Sequence, residues 1–361
     1  MDKNNAADAH PSSSNGAVAP PGSLQGSAMH TRRLRERGYR ILICLDRSPF
    51  SESCLPHALS LAKTFSAGIT LVHVMAPHDP AHAQGTDALS WELARQEARV
   101  YLEKMQQAAE LTLSRPVEIR LEQGRPAERI VSLSRELNAD LTVLGSHGEG
   151  GGAARDLGGT AAQILAGARN SVFVAHAASP SANIVQPKRI LVPLDGSLRT
   201  ESALPPAARI ASACGAELLL VHVVAEPVPN SVLRVGEDLE LARQLAQRLE
   251  LAAKKYLGRL RDQLASEVAT VRTLVVRHAS ERQCLLDLAQ NEQVDLIVLS
   301  AHGAACDPAR AFGGVAVDLL TRSAVPLLAL QDLPERDLPR ARIGDEALAA
   351  PPRGRSAPEG A

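Results

Sequence analysis

Aromatic side chains are scarce: Phe, Trp and Tyr make up 2% of the 361 residues, with a single Trp. Proteins that hold single-stranded nucleic acid by stacking its bases need such rings at intervals, so that class is disfavoured. An excess of one charge is missing as well. The 39 Lys and Arg nearly balance the 40 Asp and Glu, for a net charge of -1, and no segment builds the positive field that nucleic acid requires. The five cysteines (Cys44, Cys54, Cys214, Cys284 and Cys306) are scattered, without a C-x-x-C pair. Neither a disulfide framework nor a zinc site is signalled, and reduced thiols of an intracellular protein are expected. No apolar run approaches the ~20 residues that cross a bilayer. The N-terminus, from Met1 and Asp2 into Ser, Pro and Gly, lacks the apolar segment of a signal peptide. A cytoplasmic protein with no nucleic-acid or membrane partner is expected.

Ala, Val, Leu and Ile must therefore build the core, which suits close-packed parallel strands and helices. The length allows two domains of ordinary size. Residues 1–37, rich in Ala, Ser, Gly and Pro, bury too little apolar surface to offset the entropy of ordering them. The tail 332–361, with five prolines from Pro334 to Pro358, reads the same way. Both are expected to be disordered.

Between them the chain repeats itself. Residues 40–46, Arg-Ile-Leu-Ile-Cys-Leu-Asp, match 189–195, Arg-Ile-Leu-Val-Pro-Leu-Asp, and residues 69–74 match 218–223, both ending Leu-Val-His-Val. One offset, 149 residues, separates Asp46 from Asp195 and His73 from His222. A repeat this long is a whole domain and not a solenoid unit. The expected domains are 38–177 and 188–331, joined by a linker over 178–187.

Each repeat alternates short, continuous apolar runs with helical patterns. Strands are expected near 40–45, 69–75, 117–121, 140–145 and 172–175, and again near 189–194, 217–224, 271–276, 294–300 and 326–330. Helices are expected near 51–66, 87–113, 126–137 and 158–169, then 200–213, 235–266, 279–291 and 313–323. Continuous apolar strands are covered on both faces, and alternation with helices implies right-handed crossovers and a parallel sheet. The fold class is α/β: two tandem Rossmann-like domains, each a five-stranded parallel sheet with helices on both faces.

Ligands of such sheets bind at the carboxyl ends of the strands. After its fourth strand the first repeat carries Gly145-Ser146-His147-Gly148, nine residues, then Gly158-Gly159-Thr160 opening a helix. Glycine lets backbone come close to a ligand, and a helix N-terminus offers unpaired N–H groups to an anion. The second repeat follows with Ser300-Ala301-His302-Gly303, nine residues, then Gly313-Gly314. A strand-to-helix turn alone also uses glycine; the repetition of the spacing favours a phosphate-cradling loop. His147 and His302 lie in these loops, without a second ligand at metal spacing. His73 and His222 read as core histidines. Arg155 and Arg310 are candidates to face phosphates, and Cys44 and Cys306 candidate redox-responsive thiols.

The Gly-x2-Gly-x9-Gly spacing, the Asp-ended first strand, the Leu-Val-His-Val strand and the duplication together resemble the ATP-binding type of universal stress protein. The resemblance spans about 38–177 and 187–331. It implies adenine contacts at the first strand end and after the second-strand His, with ribose and phosphates on the glycine loop and last helix. Carried over, these are Asp46, Val74, Gly145, Gly148, Gly158 and Thr160 in the first repeat, and Asp195, Val223, Gly303 and Gly313 in the second. Gly159 and Gly314 stand where that family has a hydroxyl residue, Thr160 being the nearest substitute, and Ser300 replaces the first glycine. ATP with Mg2+ is the implied ligand, the first repeat the favoured site. The resemblance further implies an intramolecular pseudo-dimer packed through the last strands, 172–175 beside 326–330, and protein partners.

The leading reading is a non-enzymatic stress-response protein whose interactions respond to ATP. No Gly-x4-Gly-Lys-Ser/Thr loop or Gly-x-Ser-x-Gly elbow is present, and nothing identifies a base for ATP hydrolysis. The alternatives are a scaffold with decayed pockets, supported by Gly159, Gly314 and Ser300, and an adenylating enzyme, whose signature near the first strand is missing.

Overall fold

The computed structural model describes residues 38–76, 85–148, 157–176, 186–226, 236–307 and 309–332. The terminal segments, most of the linker, Glu149–Gly152 and Arg155 lie outside the described residues.

The first repeat runs β1 (Arg40–Cys44), α1 (Pro49–Glu52), α2 (Cys54–Phe65), β2 (Gly68–Met75), α3 (Gly85–Leu113), β3 (Glu118–Gln123), α4 (Pro126–Glu136), β4 (Leu141–Gly145), α5 (Gly159–Gly167) and β5 (Ser171–Ala175). The second runs β6 (Arg189–Pro193), α6 (Leu198–Glu201), α7 (Leu204–Cys214), β7 (Glu217–Ala225), α8 (Gly236–Leu264), β8 (Val271–His278), α9 (Glu281–Asn291), β9 (Leu296–Ser300), α10 (Gly314–Arg322) and β10 (Leu327–Leu330). The first helix expected in each repeat is two pieces. In α1 and α6 a Ser–x–x–Ser/Thr hydrogen bond closes a short turn: Ser48 Oγ accepts from Ser51 N at 3.1 Å and Ser197 Oγ from Thr200 N at 3.4 Å. The chain then restarts as α2 and α7.

All ten strands form one sheet in the order β3-β2-β1-β4-β5-β10-β9-β6-β7-β8. Within each half neighbours are parallel, as the helical crossovers require; at the middle, β5 and β10 pair antiparallel, with Phe173 opposite Leu328. Alternation along the strands feeds two core layers. Ile41 and Ile43 point to the layer of α2, α3, α7 and α8, while Leu42 and Cys44 point to that of α4, α5, α9 and α10. Burial on both faces explains why the strand sequences are continuously apolar.

Contacts other than strand pairing also cross the β5–β10 seam. Phe65 lies under the Arg209 guanidinium at 5.2 Å, and His176 Nε2 donates to the Leu320 carbonyl at 3.1 Å; on the first-repeat side the His57 ring is 5.4 Å from Phe173 of β5. Burial lowers the pKa of both His57 and His176 to about 4, in His176 against the opposing pull of its bond to the Leu320 carbonyl, so both are neutral in the fold at neutral pH.

Candidate functional site

In the order 3-2-1-4-5 the chain reverses direction beside β1, so a crevice opens at the carboxyl ends of β1 and β4. Asp46 lies just past β1. The β1–β2 register pairs Cys44 with Val72, which sets Val74 level with Asp46 two residues on. His73 Nδ1 bonds the Leu45 carbonyl at 2.8 Å and ties the two strand ends together. In the second repeat Pro193 pairs with Val221, setting Val223 level with Asp195. His222 keeps a buried Nδ1 without a partner.

Each Asp organises a turn. Asp46 Oδ1 accepts from Ser48 N at 3.0 Å and from Ser48 Oγ at 2.6 Å, and its own N–H donates to Ser51 Oγ at 3.1 Å. Asp195 Oδ1 accepts from Ser197 N at 2.8 Å and Thr200 Oγ1 at 2.9 Å, while Oδ2 accepts from Ala304 N at 2.6 Å. Burial opposes ionisation of Asp195, but these hydrogen bonds outweigh it and hold the carboxyl below its ordinary pKa. The turn needs a left-handed residue after the Asp: Gly196 has φ 87°, whereas in the first repeat Arg47 takes φ 71°.

The glycine loops meet these carboxylates. A Cβ on Gly148 would stand 2.3 Å from Asp46 Oδ2, and one on Gly303 would stand 2.5 Å from Asp195 Oδ2. A side chain at either position would have to displace the Asp carboxylate, whatever else the glycines touch. Gly145 is tight for a different reason, since its Cβ would lie 2.9 Å from the Phe50 carbonyl oxygen in α1. Its smallness leaves room for α1. The buried Ser300 Oγ has no hydrogen-bond partner.

Gly158 and Gly313 cap α5 and α10 without a side-chain bond to the first turn, which leaves backbone N–H groups there for another acceptor. Their own N–H groups bind back to the loop, Gly158 to the Ser146 carbonyl at 2.9 Å and Gly313 to that of Ala301 at 2.7 Å. Asp, glycine loop and helix N-terminus thus form one connected wall in each repeat. Gly159 and Thr160 are exposed, and a Cβ on Gly159 would meet nothing within 4 Å. At Gly314 a Cβ would come within 2.8 Å of Arg282 Nη2. This guanidinium stands over the start of α10; Ala127 follows Pro126 at the matching place in α4.

The two histidines of the loops differ. His147 Nδ1 bonds Ser146 Oγ at 3.0 Å and its buried Nε2 has no partner. The side chain of His302 is fully buried, with Nδ1 at 2.8 Å from Asp332 Oδ1 and Nε2 at 3.0 Å from the Arg310 carbonyl. Arg199 Nη1 reaches the other oxygen of Asp332 at 2.9 Å. Both ring nitrogens of His302 face acceptors, an arrangement that favours the doubly protonated ring. Burial pulls its pKa down, but the Asp332 and Arg310 bonds prevail and raise it. Sequence reading missed Arg199 and Asp332, and it put Asp332 at the start of a disordered tail. It also passed over Ser51 and Thr200, each five residues after the Asp, which complete the Asp–x–Ser turn in both repeats. Cys44 and Cys54 are buried, with thiol pKa raised by burial. The Cys306 thiol is also raised, the reverse of an activated thiol. Among the described residues no three His, Cys, Asp or Glu side chains gather to hold a metal, and no helix is long and apolar enough to cross a membrane.

A doubly wound sheet made twice, with a glycine loop on an Asp-ended strand in each half, defines a tandem Rossmann-like α/β protein. Residues 39–176 and 187–331 both match the model of the universal stress protein family, and the chain belongs to that family. It is 26% identical over 301 residues to a universal stress protein of Mycolicibacterium smegmatis, covering 81% of this chain and 97% of the relative. It is 30% identical over 137 residues to one of Methanocaldococcus jannaschii, covering 37% of this chain and 80% of the relative. The crystal structure of a universal stress protein from Archaeoglobus fulgidus superposes with a TM-score of 0.56 at 18% identity, over 82% of this chain and 99% of the other.

Proposed function

We propose that this chain is a cytoplasmic, nucleotide-responsive regulatory module of the stress-response type, not an enzyme, and that it binds ATP with Mg2+ foremost in the first repeat. The observation that carries the reading is the connected wall of Asp46, Gly148 and the uncapped start of α5. Val74 sits beside it for adenine; Gly145 keeps α1 close, and Gly158, Gly159 and Thr160 leave the phosphate end open and polar. Asp195, Val223, Gly303, Gly313 and Gly314 repeat the arrangement. There His302 and Arg282 crowd the loop. In this reading 38–177 and 188–331 are the two domains, with 178–187 as linker. The antiparallel β5–β10 pair makes them an intramolecular pseudo-dimer through which occupancy of one pocket is relayed to protein partners.

Calorimetric titration of Mg-ATP into the full chain tests this, beside Asp46→Ala and Asp195→Ala. Saturable binding that Asp46→Ala abolishes and Asp195→Ala spares supports the first pocket. No heat, with no nucleotide extractable from the purified protein, leaves a scaffold with decayed pockets as the better account.

A further inference from the structure

Helix α3 buries Ala98, Leu102, Met105 and Ala109 against the sheet. At ~100° per residue, the opposite side of the cylinder carries Leu89, Leu93, Val100 and Leu111. These are 67%, 55%, 59% and 84% exposed, although an outward stripe on a surface helix is ordinarily polar. The four side chains lie within ~40° of one line and extend as a ridge over ~33 Å of helix, interrupted on that line by exposed Gln107 between Val100 and Leu111.

The ridge is self-complementary when two copies cross antiparallel about a two-fold axis at Val100. Leu89 then faces Leu111 of the second copy, since both are eleven residues from Val100, and Leu93 meets the apolar stem of Gln107, each seven residues from it; the contact closes on itself as an isologous interface must. The flanks agree. On one side of the ridge stand Glu97 and Lys104, on the other Gln96 and Glu103. The two-fold brings each flank against its own copy, with Glu97 beside Lys104 and Gln96 beside Glu103, each pairing made twice. Among the described residues Lys104 has no ion-pair partner within the chain, whereas Glu97 has only a 3.6 Å contact with exposed Arg47 and Glu103 a 3.2 Å one with Arg99. In a parallel arrangement opposite flanks meet, and Glu97 faces the side that carries Glu92, Glu103 and Glu110.

We infer that the outer face of α3 is a homodimer interface, a second copy of this chain docking antiparallel with Val100 on the axis. The contact is separate from the β5–β10 seam and independent of nucleotide. A single helix pair buries less than the ~1,200 Å² of a standard interface, so the dimer is weak and concentration-dependent.

Sedimentation velocity on the full chain between micromolar and hundreds of micromolar measures it. Concentration-dependent dimerisation is expected, and Val100→Glu weakens it at least ~10-fold by placing two unpaired carboxylates on the axis. Circular dichroism and melting of that variant check that the exposed substitution leaves the fold intact. Under mild oxidation Val100→Cys gives a covalent dimer, Leu89→Cys alone does not, and Leu89→Cys with Leu111→Cys does. A chain that stays monomeric throughout, a dimer that Val100→Glu leaves unchanged, or cross-linking by Leu89→Cys alone overturns the inference. None of these results depends on ATP binding.

Discussion

Replacing Asp332 by Ala removes one residue that holds the second glycine loop to the end of the sheet. The Asp332 side chain is 4% exposed and accepts from His302, which is 0% exposed, and from Arg199, which is 42% exposed. Losing one partner of a buried ion pair costs ~3–5 kcal/mol, because the remaining charge is left desolvated. Arg199 can turn to water, so the lower end of that range applies, about 3 kcal/mol. For a body of this size that lowers Tm by ~4–8 °C. The deficit depends on pH with a definite sign. The folded pKa of His302 is raised above the ordinary value of about 6.5. Its contribution is therefore complete below that value and is lost as pH rises through the folded pKa. Differential scanning calorimetry of wild type and Asp332→Ala at pH 6 and at pH 9 separates the charge from mere packing. The gap in Tm is expected to be larger at pH 6. Equal Tm values at both pH values, or a gap that widens at pH 9, would refute the assignment of a doubly protonated His302.

Gly148→Ala forces a Cβ against Asp46 and is expected to lose ~1–3 kcal/mol by overpacking and most ATP binding, whereas Gly159→Ala, with nothing of the chain within 4 Å, costs no stability; chemical denaturation and calorimetry compare them. Arg47→Gly relieves a left-handed non-glycine residue and raises stability by ~1 kcal/mol, read as a higher urea midpoint at an unchanged slope; no increase would mean that the Arg47–Glu97 contact compensates. His57 and His176, lowered to about 4 in the fold, take up protons more readily unfolded. Stability should therefore fall as pH drops from about 6.5 towards 4, and His57→Phe beside Phe173 should flatten that fall in melts across this range.

Much of the architecture is legible in sequence because it is periodic or repeated. Strands buried on both faces must be continuously apolar, crossover helices must separate them, and a duplicated domain repeats its spacings; Arg40–Asp46 against Arg189–Asp195 is enough to expose all three. The glycine loops stand out because backbone contacts admit no side chain. What each glycine touches does not. Gly148 lies 102 residues along the chain from Asp46, and the tertiary fold alone sets it against that carboxylate, giving the glycine an internal reason to be there. The same holds for Arg199, His302 and Asp332, which come from a turn, a loop and the end of the last strand, and whose hydrogen bonds follow no period. Whether Asp332 opens a tail or latches a pocket depends on the arginine and histidine that reach it, and only tertiary structure brings those together.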